Sequence, residues 1–414
     1  MPYLFWFAIM SQHLVVIGGG QAAAQAIHSS RQLGFDGAIT LVSNEDVLPY
    51  QRPPLSKQYL DGRFPRERLA LRPETFYTSR DVEVLLGQSV TRIDPAHKKV
   101  TLAAGEALDF SSLLIATGSR PRRLEVPGAD LEGVFYLRSM SDVDAIKAAM
   151  TPGRRLIVVG GGYIGLEVAA VATGLGLDVV VLEAGDRVLG RVVAPALSDF
   201  YTSRHRAAGV DIRCNASVQR ICGDTAVEAI ETAAGERFDA DLVIVGIGIL
   251  PNSELALEAG LDAANGIRVD AHGQTAVAGI AAAGDCTRQT HPLIDGEIRL
   301  ESVHNAIGQA KAVSATLCGQ PTPFEELPWF WSDQYDMKLQ IAGVSRDYDQ
   351  TVFRGDPESN SFSLFYLRRG VAVAVDCINN PRVFMMARKL LPLGRDVPAD
   401  VLADPDSDLG EFCN

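Results

Sequence analysis

Two segments of this chain repeat one pattern, in which an apolar stretch leads into a glycine-rich turn and then into a helix-like stretch. In the first copy, apolar residues 14–17 precede Gly18, Gly20 and Ala23, and residues 24–33 have helical character. A turn of this kind lets the backbone approach a pyrophosphate closely, while the free N–H groups and the dipole of the helix N-terminus face the phosphate charge. The first copy therefore predicts a dinucleotide-binding turn.

The second copy is more complete. Apolar residues 156–159 lead into Gly160, Gly162 and Gly165, which fill the G-x-G-x-x-G pattern, and a further apolar strand ends at Glu183. One match is weak evidence in a chain with 38 glycines, but two copies, each flanked by a strand and a helix, reinforce each other. Together they predict an α/β fold with two Rossmann-like dinucleotide-binding domains.

The residue that follows each second strand bears on the choice of nucleotide. Glu183 stands 23 residues past Gly160, near the spacing at which an acidic residue binds the ribose 2′-hydroxyl. A carboxylate there favours NAD over NADP. The alternative is that Glu183 is only a solvent-facing residue at the end of a strand. In the first copy the acid is displaced, so either Asn44 or Glu45 is expected at the adenosine ribose.

The charge balance argues against two classes of partner. The chain has 38 Lys and Arg against 51 Asp and Glu, a net charge of −13. Such a surface repels phosphate backbones and anionic lipid, so neither nucleic acid nor a membrane is expected as a partner.

Residues 1–9 are apolar but shorter than the about 20 residues of a spanning helix. We interpret them as an upstream extension before a natural start at Met10.

The cysteine content indicates a reduced protein. The six cysteines form no C-x-x-C and are too sparse, in 414 residues, for a disulfide scaffold. We therefore expect free thiols in a cytoplasmic protein. No metal site is predicted, and the sequence leaves the oligomeric state open.

Beyond the two turns, six segments resemble one family of flavoproteins. They are residues 49–57, 113–118, 241–252, 279–285, 301–306 and 328–335. In content and order they are similar to the FAD-containing, NADH-dependent ferredoxin reductases that serve bacterial cytochrome P450 monooxygenases and Rieske dioxygenases. The resemblance covers residues 12–392, whereas residues 394–414 carry no feature that can be assigned.

The resemblance implies a glutathione reductase-like architecture with a third, C-terminal α+β domain. The expected FAD-binding domain is discontinuous, at residues 10–119 and 251–325, the NAD-binding domain spans 120–250, and the C-terminal domain spans 326–414. Alternating residues and turn signals in that last domain predict four strands and a closing helix. These lie at residues 339–342, 350–354, 361–367, 371–376 and 381–391.

The same resemblance implies a set of cofactor contacts. Those to FAD are Gly18, Gly20, Ala22, Ala23, Asn44, Arg52, Lys57, Val90, Thr117, Arg138, Asp285, Val303 and Trp331. Those to NAD are Gly160, Gly162, Ile164, Gly165, Glu183 and Gly248. The sequence departs from the family pattern at Ala23, where glycine is frequent, and at Asn44, where an acid is common.

Missing sulfur defines the expected chemistry. Disulfide reductases of this architecture carry a cysteine pair after the first unit, but residues 52–57 contain no thiol. Electrons must therefore leave for a separate protein after hydride transfer from NADH to the flavin N5. The resemblance places the Lys57 ammonium near that atom and brings Glu167 within reach as its ion-pair partner. A solvated lysine and a helix-face carboxylate are the simpler alternatives. Cys286 is expected to pack rather than react.

The expected partner is a [2Fe-2S] ferredoxin that docks near the flavin edge. Trp329 and Trp331 would lie in that region, although both also suit plain core packing. Because ferredoxins are typically acidic, docking on an acidic chain needs local cations. The candidate clusters are Arg63, Arg66, Arg68 and Arg72, then Arg120, Arg122 and Arg123, then Arg382, Arg388 and Lys389.

Two other functions suit the same architecture. One is reduction of rubredoxin or monodehydroascorbate by a related cysteine-free flavoprotein. The other is nucleotide sensing by a protein that resembles apoptosis-inducing factor and whose flavin is reduced slowly.

Overall fold

A computed structural model describes residues 12–413, so the predicted extension at residues 1–9 lies outside the described part. The chain divides into two compact units. Unit 1 comprises Met1–Gln51, Ala70–Ser119 and Pro251–Glu326, and unit 2 comprises Arg52–Leu69, Arg120–Leu250 and Leu327–Asn414. The division into three domains is finer than this and stays a prediction.

The described residues form both helices and strands. The α-helices are α1 (Gln21–Gln32), α2 (Glu74–Thr78), α3 (Met140–Ala149), α4 (Tyr163–Gly174), α5 (Pro195–Ala207), α6 (Glu254–Glu258), α7 (Val303–Leu317), α8 (Pro381–Leu390) and α9 (Ala399–Ala403). The strands are β1 (His13–Ile17), β2 (Ala38–Val42), β3 (Val82–Leu85), β4 (Val90–Asp94), β5 (Lys99–Leu102), β6 (Ala107–Asp109), β7 (Ser112–Ile115), β8 (Ser119–Pro121), β9 (Val134–Tyr136), β10 (Arg155–Val159), β11 (Asp178–Leu182), β12 (Asp211–Arg213), β13 (Val218–Cys222), β14 (Ala229–Thr232), β15 (Arg237–Asp239), β16 (Leu242–Val245), β17 (Ile249–Pro251), β18 (Ile267–Val269), β19 (Ile280–Ala282), β20 (Thr287–His291), β21 (Ile294–Ile298), β22 (Trp329–Gln334), β23 (Met337–Gly343), β24 (Gln350–Arg354), β25 (Phe362–Arg368) and β26 (Val371–Ile378).

Unit 1 is built on a five-stranded parallel sheet in the order β19-β7-β1-β2-β3. Strands β1 and β7 read as continuous apolar runs because both faces of the sheet are covered. Helices α1 and α7 pack against each other, and buried residues of both join one core cluster with the sheet. The predicted strand, turn and helix of the first copy are therefore present, with the helix beginning at Gln21 rather than near residue 24.

Unit 2 contains a second five-stranded parallel sheet, in the order β12-β11-β10-β16-β9. Strand β10 leads into α4, whose residues are mostly buried, and β11 returns beside β10. This is the predicted second copy, with the helix beginning at Tyr163.

Unit 2 also contains an antiparallel sheet in the order β22-β23-β26-β25-β24. Helix α8 packs on β23 and β26 and buries Val383, Phe384, Ala387 and Leu390, which are spaced i, i+1, i+4 and i+7 and form one apolar face of the helix. The strands and the helix predicted for the C-terminal domain lie within one to three residues of these bounds.

The end of the chain is held by one arginine. The buried guanidinium of Arg354 donates to several backbone carbonyl groups. The acceptors belong to Val401, Leu402, Asp404, Pro405 and Ser407. Helix α9 lies in this segment, in a region to which the sequence pattern assigns nothing.

Candidate functional site

The first glycine turn leaves the N-terminus of α1 open. Gly18 has φ +117°, and a Cβ there would lie 2.2 Å from the carbonyl oxygen of Ala116. Gly20 is the N-cap of α1 and makes no side-chain cap, and a Cβ there would meet nothing within 4 Å. Free N–H groups beside open space are what a phosphate group needs.

The second turn has the same form and is tighter. A Cβ on Gly160 would lie 2.5 Å from the oxygen of Gly246, and a Cβ on Gly165 would lie 2.1 Å from the oxygen of Gly160. Gly162 caps α4 without a side chain and again faces open space. Both turns therefore fit a dinucleotide pyrophosphate, and each of these glycines is explained by backbone proximity or by the open cap.

Glu183 lies beside the second turn. Its carboxylate accepts hydrogen bonds from the backbone N–H groups of Gly161 and Gly185, each at 2.7 Å. These bonds fix the carboxylate at the end of β11, and its contact with a ribose stays a prediction. Ile164 is 39% exposed, and Gly248 has φ +110°.

The residues that follow β2 in the first copy have different surroundings from Glu183. Asn44 is exposed, whereas Glu45 is half-buried and accepts a hydrogen bond of 2.6 Å from the Tyr50 hydroxyl. The structure thus engages Glu45 with a neighbouring side chain and leaves Asn44 facing solvent. A contact of Asn44 or Glu45 with the adenosine ribose stays a prediction.

The other residues predicted to bind FAD in unit 1 lie on several of its elements. Asp285 accepts from the Ser119 hydroxyl at 2.9 Å, and the Thr117 hydroxyl donates to the carbonyl of Asn252 at 2.6 Å. Two further predicted residues, Ala22 and Val90, are buried. Val303 begins α7, which Ser302 caps.

Unit 2 contains a nearly buried ion pair. Lys57 Nζ lies 2.7 Å from Glu167 Oε2, and the side chains are 11% and 3% exposed. Lys57 ends a short 3-10 turn, and Glu167 lies in the second turn of α4. The structure brings the two residues together, and their catalytic role stays a prediction.

Two serines complete the surroundings of this carboxylate. Ser56 donates to Glu167 Oε2 at 2.5 Å and Ser332 donates to Oε1 at 2.6 Å. Neither serine is among the residues that the sequence pattern predicts for the site. Both lie inside segments that carried the resemblance, residues 49–57 and 328–335, so polar side chains within those segments were the available signal.

The remaining predicted FAD contacts of unit 2 are Arg52, Arg138 and Trp331. Arg52 donates to the backbone oxygen of Arg138 at 2.8 Å. Trp329 and Trp331 are half-buried, with ring centroids 5.6 Å apart, and the guanidinium of Arg388 lies 5.4 Å from the Trp329 ring. The tryptophans are therefore neither core residues nor fully exposed ones.

A buried acid lies near α4. Asp376 is completely buried, and burial raises its pKa to about 7, partly offset by a hydrogen bond from the Tyr366 hydroxyl. Burial also raises the pKa of Tyr163 and Tyr201, with the charge of Asp376 adding to both shifts. In the described part of the chain, Asp376 Oδ1 and these two hydroxyls have no hydrogen-bond partner.

Three absences hold within residues 12–413. No group of three or more His, Cys, Asp or Glu side chains is arranged to hold a metal ion. No helix has the length and apolar character needed to cross a bilayer. The cysteines are all free, and burial raises the pKa of Cys286, which is fully buried and packs in the core as expected.

Comparison with known proteins defines the class. Residues 12–310 match the family described as pyridine nucleotide-disulphide oxidoreductase, and residues 329–413 match the reductase C-terminal domain. The ferredoxin reductase subunit of 5,5′-dehydrodivanillate O-demethylase from Sphingobium sp. is 42% identical over 401 residues, 96% of this chain and 97% of the relative. A rubredoxin-NAD(+) reductase of Pseudomonas putida is 39% identical over 370 residues, 89% of this chain and 96% of the relative.

A solved structure agrees. The reductase of the covalent putidaredoxin reductase–putidaredoxin complex is 40% identical, with a TM-score of 0.94 over 97% of this chain and 98% of that one. The fold and the two nucleotide turns thus define an NAD(H)-dependent, FAD-containing oxidoreductase. This chain belongs to the pyridine nucleotide-disulphide oxidoreductase family, and the resemblance to ferredoxin reductases found in its sequence is confirmed.

Proposed function

We propose that this chain is the reductase of an oxygenase system, oxidising NADH and supplying single electrons to a [2Fe-2S] ferredoxin that serves a P450 or Rieske enzyme. When bound, FAD supplies the conversion of a hydride into two separate electrons. The observation that carries the proposal is the segment of residues 52–57, which has no thiol and instead ties Lys57 to a carboxylate on the helix of the second nucleotide turn.

The chain's own residues bind and orient both nucleotides. The two glycine turns and the open ends of α1 and α4 hold the pyrophosphates. Glu183 holds the ribose of NADH, and a 2′-phosphate would be repelled by its carboxylate. Lys57 directs its ammonium to the flavin N5, where reduction builds negative charge, and Glu167 keeps the lysine in place.

The proposed docking surface is the exposed face of α8, defined by Arg382, Met385 and Lys389 together with Arg388. Arg382 and Lys389 are exposed, and Met385 is 52% exposed. Arg388 links this face to the tryptophan pair by lying over Trp329. An apolar side chain among cations suits an acidic ferredoxin.

The other two basic clusters are less suitable. In the first, Arg63 is paired with Asp61 and Arg66 with Asp144, which lowers their net charge. The cluster of Arg120, Arg122 and Arg123 lines an open pocket of about 390 Å³ together with Glu125. Electron transfer that slows as salt is added supports docking by charge, and salt-independent rates contradict it.

The three-domain division and a cytoplasmic location belong to the same proposal. The matched reductase C-terminal domain at residues 329–413 supports the third domain. The six free cysteines support a reducing compartment.

The test is reduction of cytochrome c by NADH and NADPH in parallel, with a panel of purified [2Fe-2S] ferredoxins, a rubredoxin or no carrier. We expect NADH with a ferredoxin to give the fastest turnover. Because one relative is a rubredoxin reductase, rubredoxin is the second candidate acceptor. Turnover that is faster with rubredoxin than with every ferredoxin would reassign the acceptor.

A further inference from the structure

A chain of hydrogen bonds runs through unit 2 and ends on Glu167. The hydroxyl oxygen of Tyr335, a residue that is 39% exposed, lies 3.0 Å from His205 Nδ1. On the other side of the ring, His205 Nε2 lies 2.9 Å from Gln334 Oε1. Gln334 Nε2 donates to the Ser332 hydroxyl at 3.2 Å, and Ser332 donates to Glu167 Oε1 at 2.6 Å. His205, Gln334 and Ser332 are all buried.

The donors in this chain point in one direction. Gln334 Oε1 can only accept, so a neutral His205 carries its hydrogen on Nε2 and accepts from Tyr335 on Nδ1. Burial lowers the pKa of His205, which favours that neutral form. Because Ser332 accepts from Gln334, its own hydrogen is directed to Glu167. Aligned donors polarise one another, which strengthens the last bond of the series.

The last bond acts on the ion pair. Ser332 occupies Oε1 of Glu167, and Lys57 and Ser56 share Oε2. The carboxylate is therefore fixed at both oxygens, with Oε2 turned to the lysine. A carboxylate that is 3% exposed has little water to replace a lost donor. Without the Ser332 hydroxyl, Oε1 of Glu167 loses its donor and the orientation of the pair loosens, so the carboxylate offsets less of the lysine charge.

We infer that Ser332, supported by Gln334, His205 and Tyr335, is a positioning residue that sets the orientation of the Lys57–Glu167 pair and thereby the redox potential of the bound flavin. This inference rests on the proposed function, which places Lys57 at the flavin. It assigns the C-terminal sheet a part in the first half of the reaction, in addition to any part in docking.

The experiment measures the midpoint potential of FAD in the purified holoenzyme. Loss of negative charge at Glu167 stabilises the reduced flavin, so E167Q raises the potential and S332A raises it by a smaller amount. Y335F, at the far end of the chain, gives a still smaller rise. S332T keeps the hydroxyl and keeps the wild-type value. K57M removes the cation and lowers the potential.

Ser363 provides a matched control. It is fully buried in the same antiparallel sheet and donates to Cys377 Sγ at 3.4 Å, away from the ion pair. S363A is therefore expected to leave the potential unchanged. In an E167A background S332A adds no shift, because its effect runs through the carboxylate.

The outcomes separate the two levels of the account. If K57M and E167Q both leave the potential unchanged, the placement of Lys57 at the flavin is wrong and the proposed function loses its support from this pair. If E167Q shifts the potential and S332A does not, only the role of Ser332 is wrong. A shift from S332A that persists in the E167A background also overturns it, since the serine would then act by another route.

Discussion

The two nucleotide turns of this protein follow the same path but differ at three corresponding positions. Ala23 of the first copy corresponds to Gly165 of the second, Ser43 to Glu183 and Gln25 to Glu167. Ala23 is fully buried without apparent difficulty, whereas a Cβ at Gly165 would lie 2.1 Å from a backbone oxygen. The first turn is therefore open enough for a methyl group, and the second is not.

The helices that follow the two turns also differ in their surroundings. Helix α1 packs on α7, where Ser30 donates to Ser314 at 3.1 Å, and Gln25 bonds only along its own helix to Ser29. Helix α4 packs on β22 and carries the buried carboxylate to which Ser332 donates. Both turns thus fit a phosphate group, and we propose that the positions where they differ suit the first copy to a resident cofactor and the second to an exchanging coenzyme.

The largest expected effect comes from exchanging the residues at the third motif position. G165A forces a methyl group against the Gly160 oxygen, so the turn must open, and we expect loss of measurable NADH binding in titrations of the holoenzyme. A23G is expected to retain FAD and to lower the free energy of unfolding by about 1 kcal/mol, the usual cost of glycine in a helix. Equal tolerance of both changes would show that the two turns do not differ in this way.

The second prediction concerns the buried acid near α4. The pKa of Asp376 is about 7 in the fold and near 4 in an unfolded chain. Folding therefore takes up a proton between these values, and wild-type stability falls as pH rises from about 4 to about 7. The full cost is on the order of 4 kcal/mol above pH 7, and D376N removes it. Denaturant unfolding of both proteins across this pH range measures the difference.

Asp241 is the matched control for this pH dependence. Hydrogen bonds from Arg155 lower its pKa to about 2, so its contribution to stability is present above pH 4 and is lost only in stronger acid. D241N is therefore expected to destabilise at neutral pH. A D376N variant whose advantage over wild type does not grow with pH would show that Asp376 is charged in the folded protein.

The third prediction concerns the pair of Lys57 and Glu167. The first copy has Gln25 where the second has this glutamate. K57M is expected to slow flavin reduction by NADH about 100-fold, since the cation that stabilises the developing charge is lost. Stopped-flow absorbance of the flavin measures this rate. Lys147, which lies over the Tyr59 ring in the same unit, supplies the control K147M, expected at the wild-type rate. A K57M rate equal to wild type refutes the proposed role.

The smallest effect is expected at the ribose positions. E183Q removes the negative charge that opposes a 2′-phosphate, so the preference for NADH over NADPH, measured as a ratio of kcat/KM values, should fall about tenfold. N44A, one residue past Ser43, the counterpart of Glu183 in the first copy, should leave that ratio unchanged. A change of the ratio in N44A but not in E183Q would reverse the assignment of the two turns.

The sequence predicted the repeated elements well because parallel strands buried on both faces leave long apolar runs, as in β1 and β10. It also predicted the C-terminal strands, whose alternation marks a sheet with one face on α8. The start of α1 was predicted late because Gln21 continues directly from the glycine turn, with no polar cap to mark the boundary.

Other features had no signal along the chain. Arg354 binds carbonyl groups about 50 residues away, and backbone acceptors carry no side-chain pattern, so the segment after residue 394 could not be assigned. Gln334 links Ser332, on the same strand, to His205 on a distant helix, and a single sequence does not encode such a contact locally. Lys57 and Glu167 were accessible only through the resemblance, since they are 110 residues apart.

The central claim is that this protein reduces its flavin rapidly with NADH and passes the electrons to a ferredoxin. The direct measurement is stopped-flow absorbance of the holoenzyme mixed with NADH, and then of the reduced enzyme mixed with a [2Fe-2S] ferredoxin. The account predicts flavin bleaching within a second and prompt reoxidation as the ferredoxin is reduced, at typical enzymatic rates of about 10 per second or faster. Sluggish bleaching, with a long-lived charge-transfer complex that the ferredoxin does not discharge, would instead identify a nucleotide sensor.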